Sequence, residues 1–249
     1  MSQIGKPPCD DALILRAAHA RPCTPSAQRW VLVAAIGGSS MAFVDGTVVN
    51  VALPTIQHAL NATAFEAQWV VESYALFLAA LLLVGGSLGD HFGRRRMFGV
   101  GVALFAAASV GCALSLDVGQ LIAARAVQGI GAALLVPGSL ALISASFPKI
   151  QRGRAIGMWS GFSGITAALG PVLGGYLVDH FSWTWAFLIN VPLAIFVLLI
   201  VWWRVPESRD DHAAGSIDYV GAVLATVALG GVVYAFIEAP MLGWRSTSV

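Results

Sequence analysis

Apolar and polar positions alternate along this chain in long blocks, not at the two-residue period of strands. Seven apolar segments run over about residues 30–52, 68–88, 97–115, 119–146, 154–177, 185–203 and 217–238. Each is near the ~20 residues an α-helix needs to cross a roughly 30 Å hydrocarbon layer at 1.5 Å per residue. The clearest is the stretch from Gln68 to Arg96, where an apolar run ends in a Gly-Asp turn and then Arg94, Arg95 and Arg96. The fourth segment is long and is expected to tilt, or to leave the bilayer early near Pro137 or Pro148. Pro7, Pro8, Pro22 and Pro25 discourage helix over residues 1–28, which read as a tail without the apolar core of a signal peptide.

Composition agrees with this pattern. Hydrophobic residues make up 57% of the chain and charged residues only 11%, against about 25% charged in soluble domains. The net charge of +1 argues against a nucleic-acid partner. Cys9, Cys23 and Cys112 have no metal-ligand spacing, and their placement in a tail and a helix gives no disulfide framework.

Charge sets the orientation. With the N-terminus inside, Lys6, Arg16, Arg21, Arg29, Arg94, Arg95, Arg96, Lys149, Arg152, Arg154, Arg204 and Arg209 all fall on the cytoplasmic side. Arg125 lies within a span, and Arg245 alone falls outside. Trp30, Trp69, Trp183, Trp185, Trp202, Trp203 and Trp244 sit near span ends and suit an interfacial belt. Trp159, one turn inside span five, does not.

An internal repeat is present. Residues 85–93 read GGSLGDHFG and residues 174–182 read GGYLVDHFS, identical at six of nine positions. The first copy ends span two and the second ends span five, on opposite sides by this topology. That makes the unit three spans plus three with inverted topology, a recurring build of secondary transporters.

Asp45, Glu72 and Arg125 are the ionisable residues expected inside the membrane. Each costs about 2.5–3.5 kcal/mol at mid-membrane on insertion scales, so each needs a reason. Counting 1.5 Å per residue puts Asp45 roughly 22 Å above the inner face, Arg125 roughly 9 Å and Glu72 about 6 Å below the outer face. All three then share the outer part of the bilayer. One reading is a proton-coupling site; the other is a structural ion pair, or, for Glu72, a solvated anchor.

Span five carries Gly157, Gly161, Gly164, Gly170, Pro171, Gly174 and Gly175. Small residues four apart allow close backbone approach, and Pro171 removes a helical hydrogen bond. Tight packing and a hinge or seal in the transport path are both open. Asp90, Gly93 and Arg94 form a turn in which Asp90 either faces the start of span three or pairs with Arg94. Asn61-Ala62-Thr63 is a glycosylation sequon in an outer loop. His58, His91, His180 and His212 fall at loops or interfaces. No phosphate-binding loop, metal-ligand cluster or nucleophile–base arrangement is visible, so no cofactor and no enzymatic reaction are expected.

Four ordered motifs resemble the major facilitator superfamily, in its fourteen-span drug:proton antiporter branch. Asp45-Gly46-Thr47-Val48-Val49-Asn50-Val51-Ala52-Leu53-Pro54 is similar to the branch's span-one signature. Gly86, Asp90, Gly93 and Arg94 belong to a loop 2–3 motif that continues through Arg96. Leu121, Arg125, Gln128, Gly129 and Gly131 fit a span-four motif linked with proton transfer. Gly164, Gly170, Pro171, Gly174 and Gly175 fit the span-five antiporter motif. Residues 185–192 also fit the branch, with Thr184 where an arginine is common.

The resemblance implies an all-α integral membrane fold: the N-terminal six-helix bundle of that superfamily plus one additional helix. The layout expected is a cytoplasmic tail (1–28), a six-span half (29–204), a cytoplasmic linker (205–216), and a seventh span with an outer tail (217–249). It implies proton-coupled efflux of amphipathic small molecules across a bacterial inner membrane, with the lipid bilayer, protons and substrate as partners. A second half is absent, which reads as a fragment of a longer transporter or a need for a second polypeptide. The alternatives are a metabolite or siderophore transporter, and a non-transporting half that acts as an assembly partner.

Overall fold

Short caps and turns, not the apolar runs themselves, decide where each helix starts and stops. The computed structural model describes residues 25–208 and 219–242. Within them the chain forms α1 (Pro25–Ala59), α2 (Ala64–Phe92), α3 (Arg94–Ala113), α4 (Val118–Ser146), α5 (Lys149–His180), α6 (Trp185–Leu188), α7 (Asn190–Arg204) and α8 (Tyr219–Leu242). Six spans among the described residues are long and apolar enough to cross a membrane, α6 and α7 together making the sixth. Cys9, Cys23, Arg209, His212, Trp244, Arg245 and the basic residues before Pro25 lie outside the described residues.

Most helices exceed the apolar run that predicted them. Pro25 opens α1, correcting the expectation that it would resist helix; a first-turn position needs no N–H partner and suits proline's fixed φ. Asn61 takes φ 49° in the α1–α2 turn. Thr63 then caps α2, its hydroxyl accepting from Glu66 N at 3.2 Å while the Glu66 carboxylate accepts from Thr63 N at 2.8 Å. The sequon residues Asn61 and Thr63 are therefore both used by the turn. Asp117 caps α4 through Gln120 N at 2.9 Å. Pro137 does not end α4, which continues to Ser146, and Pro148 instead precedes α5. The sixth span is interrupted at Ile189, where Pro192 has no N–H to offer the Leu188 carbonyl.

The inverted repeat governs the packing. Helix α2 lies on α4, and α5 lies on α1. The two repeat glycines sit at equivalent crossings. A side chain at Gly85 would strike the Ala133 carbonyl, and one at Gly174 would meet the backbone of Val48 at 3.2 Å. Helices α3 and α4 also cross closely, with Gly131 held against the Phe105 backbone and Gly101 against Leu134 and Leu135. Helix α8 runs along α2, bringing Gly230 to Ala80 and Tyr234 to Trp69 at 6.1 Å between ring centroids.

Two large apolar layers fill most of the bundle, and a smaller cluster of Ala35, Ile143 and Ala155 joins α1, α4 and α5. One layer holds Met41, Phe98, Val102, Phe105, Leu135, Val197 and Val201. The other holds Val48, Ile56, Val70, Cys112, Leu121 and Phe187. Large apolar side chains on α5, such as Phe162, Ile165 and Val172, face outward, as a lipid-facing surface permits.

The paired crossings give a direct test. Gly85→Val and Gly174→Val are each expected to lower the thermal midpoint of the detergent-solubilised chain, by overpacking on the order of 1–3 kcal/mol. Gly175→Val, where no atom lies within 4 Å of an added Cβ, should have little effect. Equal losses at all three positions would reject the mirrored packing.

Candidate functional site

Between the two apolar layers lies a polar one, built by four spans. Asp45 comes from α1, Ser109 from α3, Arg125 and Gln128 from α4, and Asn190 from the start of α7. Asp45, Ser109, Arg125 and Gln128 are 0% exposed and Asn190 is 1% exposed. Arg125 Nη1 donates to Asp45 Oδ2 at 2.5 Å and to Gln128 Oε1 at 2.8 Å. Asp45 Oδ1 accepts from Gln128 Nε2 at 2.7 Å and from Asn190 Nδ2 at 3.0 Å. The two amides also converge on Ser109 Oγ, at 2.9 and 3.3 Å, and that hydroxyl donates to the Phe105 carbonyl at 2.9 Å.

The arginine is held on every side. Its Nε donates to the Val70 carbonyl of α2 at 3.0 Å. Its guanidinium carbon lies 4.3 Å from the Tyr74 ring centroid and 5.9 Å from that of Phe187, a cation–π arrangement strengthened by exclusion of water. Burying two charges costs several kcal/mol per ion, and only good geometry with further hydrogen bonds offsets it. Three donors on one carboxylate and a bonded, ring-stacked guanidinium supply that geometry.

Asp45 and Arg125 thus come together as the sequence suggested. Glu72 does not join them. It is half-buried on another face of α2, accepting from Gln68 Nε2 at 2.5 Å. Height along the helix was a sound guide, but direction around it was not: Tyr74, two residues on and so about 200° around α2, meets Arg125 instead. Ser109 was missed, and Gln128 and Asn190 entered the sequence reading only through motif resemblance, not as partners of the buried charges. Their signal was a polar side chain inside an otherwise apolar span, a weaker mark than a charge because such groups can bond their own backbone. Trp159, the tryptophan out of place in an interfacial belt, donates to Ser39 Oγ at 3.0 Å and sets its ring edge against Phe43.

Comparison with known proteins places this architecture. The family model described as Major Facilitator Superfamily matches residues 35–245. The chain belongs to that superfamily. It is 41% identical over 220 residues to multidrug resistance protein Stp of Mycobacterium tuberculosis, covering 88% of this chain and 41% of that protein. It is 41% identical to the methylenomycin A resistance protein of Bacillus subtilis, over 87% of this chain and 46% of the relative. It is 39% identical to the tetracenomycin C resistance and export protein of Streptomyces glaucescens, over 86% and 40%. The chain therefore spans less than half the length of these relatives. The crystal structure of peptide transporter POT in complex with sulfate shares the fold, with a TM-score of 0.63 at 16% identity, over 93% of this chain and 49% of that one.

Two further motif regions take definite form in this superfamily member. Asp90 pairs with Arg94, its Oδ1 2.9 Å from both Nε and Nη2, so the second of the two sequence expectations for Asp90 is the one observed. Gly93 has φ 106°, a conformation L side chains rarely adopt. Gly86 faces Pro137 of α4 at contact distance. The opening of α3 has no side-chain cap of its own; Val205–Ser208, after α7, provide one. Glu207 Oε1 accepts from Arg95 N at 3.0 Å, Ser208 O accepts from Arg94 N at 2.8 Å, and Val205 O accepts from Arg95 Nη1 at 3.1 Å. The Glu207 carboxylate also lies 3.7 Å from Arg95 Nε and 3.6 Å from Arg96 Nε. The start of the expected linker is thus docked on the loop 2–3 motif, a contact across more than a hundred residues.

In α5 the glycines divide. Gly170 crosses α1 against Thr47 and Val44, and Gly174 against Val48. Gly157, Gly161, Gly164 and Gly175 have nothing within 4 Å of an added Cβ. This corrects the expectation that Gly157 and Gly161 pack a neighbouring helix within the described residues. Pro171 lies within α5, which runs unbroken to His180.

Two measurements check these sites. Gln128→Leu removes a donor to Asp45 and an acceptor for Arg125 while leaving the ion pair itself, so it is expected to destabilise the folded chain by about 1.5–3 kcal/mol, read as a lowered thermal midpoint after solubilisation. Glu207→Ala should lower the thermal midpoint by roughly 1 kcal/mol in equivalent stability. Glu207→Gln keeps the oxygen acceptor and should lose less.

Proposed function

We propose that this chain forms the N-terminal part of a proton-driven exporter of amphipathic small molecules. The observation that carries the reading is the Asp45–Arg125 pair: two opposite charges, fully buried, joined across α1 and α4, bonded directly to α2 and α7, and linked to Ser109 of α3 through Gln128 and Asn190. Adding a proton to Asp45 removes the charge that holds Arg125. It also turns one carboxylate acceptor into a donor in a layer where two amides already donate to it. The paired arrangement and the protonated one then favour different spacings of α1 and α4, which is the two-state element that alternating access needs. Relatives whose names state multidrug resistance, methylenomycin A resistance, and tetracenomycin C resistance and export support an exported antibiotic-like substrate.

The driving force suffices. One elementary charge moved through 100 mV carries about 2.3 kcal/mol, roughly a fifty-fold concentration ratio at 1.36 kcal/mol per decade. The sidedness that fits this reading is an N-terminus in the cytoplasm and a bacterial plasma membrane, supported by Arg94, Arg95 and Arg96 at the start of α3, Arg204 at the end of α7, and Lys149, Arg152 and Arg154 at the start of α5. The division into a six-span half over 29–204 and an added seventh span fits the contiguous apolar layers and the separate seat of α8 on α2.

A structural ion pair is the second reading, favoured by the complete burial and bonding of Asp45. Cationic dye efflux from cells, with and without a proton-gradient uncoupler, separates the two. It is measured for the chain alone and for the chain joined to the second half of a relative. Asp45→Asn is expected to abolish gradient-dependent efflux while the membrane-inserted amount stays at the parent level. Unchanged coupling removes the proton role, and loss of insertion favours the structural pair.

A further inference from the structure

A cleft of about 490 Å³ opens between the start of α1 and the α4–α5 turn, lined by Gln28, Arg29, Leu32, Phe147, Gln151, Arg154, Ala155 and Met158. Its chemistry is graded along the membrane normal. Arg29 and Arg154 sit at the helix ends, whereas Leu32 and Met158 lie one turn further into their spans. Both arginines are exposed, and neither forms an ion pair among the described residues. Among the described residues no acidic side chain lines the cleft. Trp30, with Arg204 stacked 5.6 Å from its ring, marks the water–lipid boundary at the same level.

The walls are fixed in place. Gln28 Nε2 donates to the Ser146 carbonyl at 3.1 Å, tying the start of α1 to the end of α4. Arg152 Nε donates to the Phe147 carbonyl at 3.0 Å, holding the turn that forms the floor. We propose that this cleft is a binding site for an anionic phospholipid, the phosphate lying between Arg29 and Arg154 and an acyl chain running along Leu32 and Met158. Two exposed guanidiniums without an ion pair among the described residues call for an anion, and the apolar inner end calls for a chain attached to it; basic pockets between membrane helices bind such headgroups. The site lies apart from the Asp45–Arg125 layer, and its occupant does not depend on which side of the membrane these ends face.

Native mass spectrometry of the 249-residue chain in mixed micelles tests this. Dioleoylphosphatidylglycerol should be retained in preference to dioleoylphosphatidylcholine. Arg29→Gln combined with Arg154→Gln should weaken its retention about 25-fold, with helical content by circular dichroism unchanged. Arg96→Gln, which removes a charge at the same end of the bundle but outside the cleft, should leave retention within about twofold of the parent. Should the double variant fail to fold, Met158→Glu leaves both arginines in place and is expected to lower retention by placing a carboxylate in the apolar end. Equal retention of the two lipids, or equal loss in Arg96→Gln, overturns the site. Displacement of the lipid by millimolar inorganic phosphate overturns the lipid assignment in favour of a soluble anion.

Discussion

The contact between Asp45 and Arg125 is the constraint that the rest of this bundle accommodates. In a lipid-embedded core each charge is costly alone, and even together they need further hydrogen bonds. That requirement draws α1, α2, α4 and α7 to one level, because the carboxylate takes donors from Arg125 and Gln128 of α4 and Asn190 of α7, and the guanidinium reaches the backbone of α2; Ser109 of α3 joins by bonding the same two amides. The apolar layers above and below can slide and still bury the same atoms. A layer in which each polar group has a named partner fixes register, since a shift of one helical turn leaves several of them unpaired at once.

The polar layer also follows the inverted repeat. Spans one and four are equivalent in that repeat, as are three and six, and these four supply Asp45, Arg125 with Gln128, Ser109 and Asn190. Spans two and five do a different job. Each carries its repeat glycine, Gly85 or Gly174, against the backbone of a central span. Polar side chains thus specify the middle of the bundle, and absent side chains specify its flanks. Without a hydrophobic driving force between helices in lipid, close approach of this kind is what dispersion forces can use.

Much of this was legible along the chain, for identifiable reasons. Span length and arginine-bearing ends are set by the bilayer, so they survive as one-dimensional signals. Asp45 and Arg125 stood out because a charge inside an apolar run is costly wherever it points. The repeat glycines were visible as a copied string, although their seats on Ala133 and Val48 were not. What escaped depends on direction or distance. Glu72 lies near the right depth on a different side of its helix, and α-helical periodicity cannot tell which side faces the core when both neighbours and lipid are apolar. Gln128 and Asn190 carry no charge, so apart from the motifs they belong to nothing marked them as partners of the buried pair. Glu207 and Arg95 are separated by most of the bundle, and nothing local to either announces the other. Pro25 and Pro137 were read as breakers, yet one occupies a position without need of an N–H and the other is held within a long, packed helix.

The seat of Glu207 on the first turn of α3 has a mechanical meaning. It ties the exit from the sixth span to the hairpin joining the second and third, so those three ends form one stiff corner. Any rocking of this half must carry that corner as a unit or release the carboxylate from the amide it accepts. The chain leaving Ser208 therefore starts from a held point, because Ser208 O and the Glu207 carboxylate accept from the first two amides of α3.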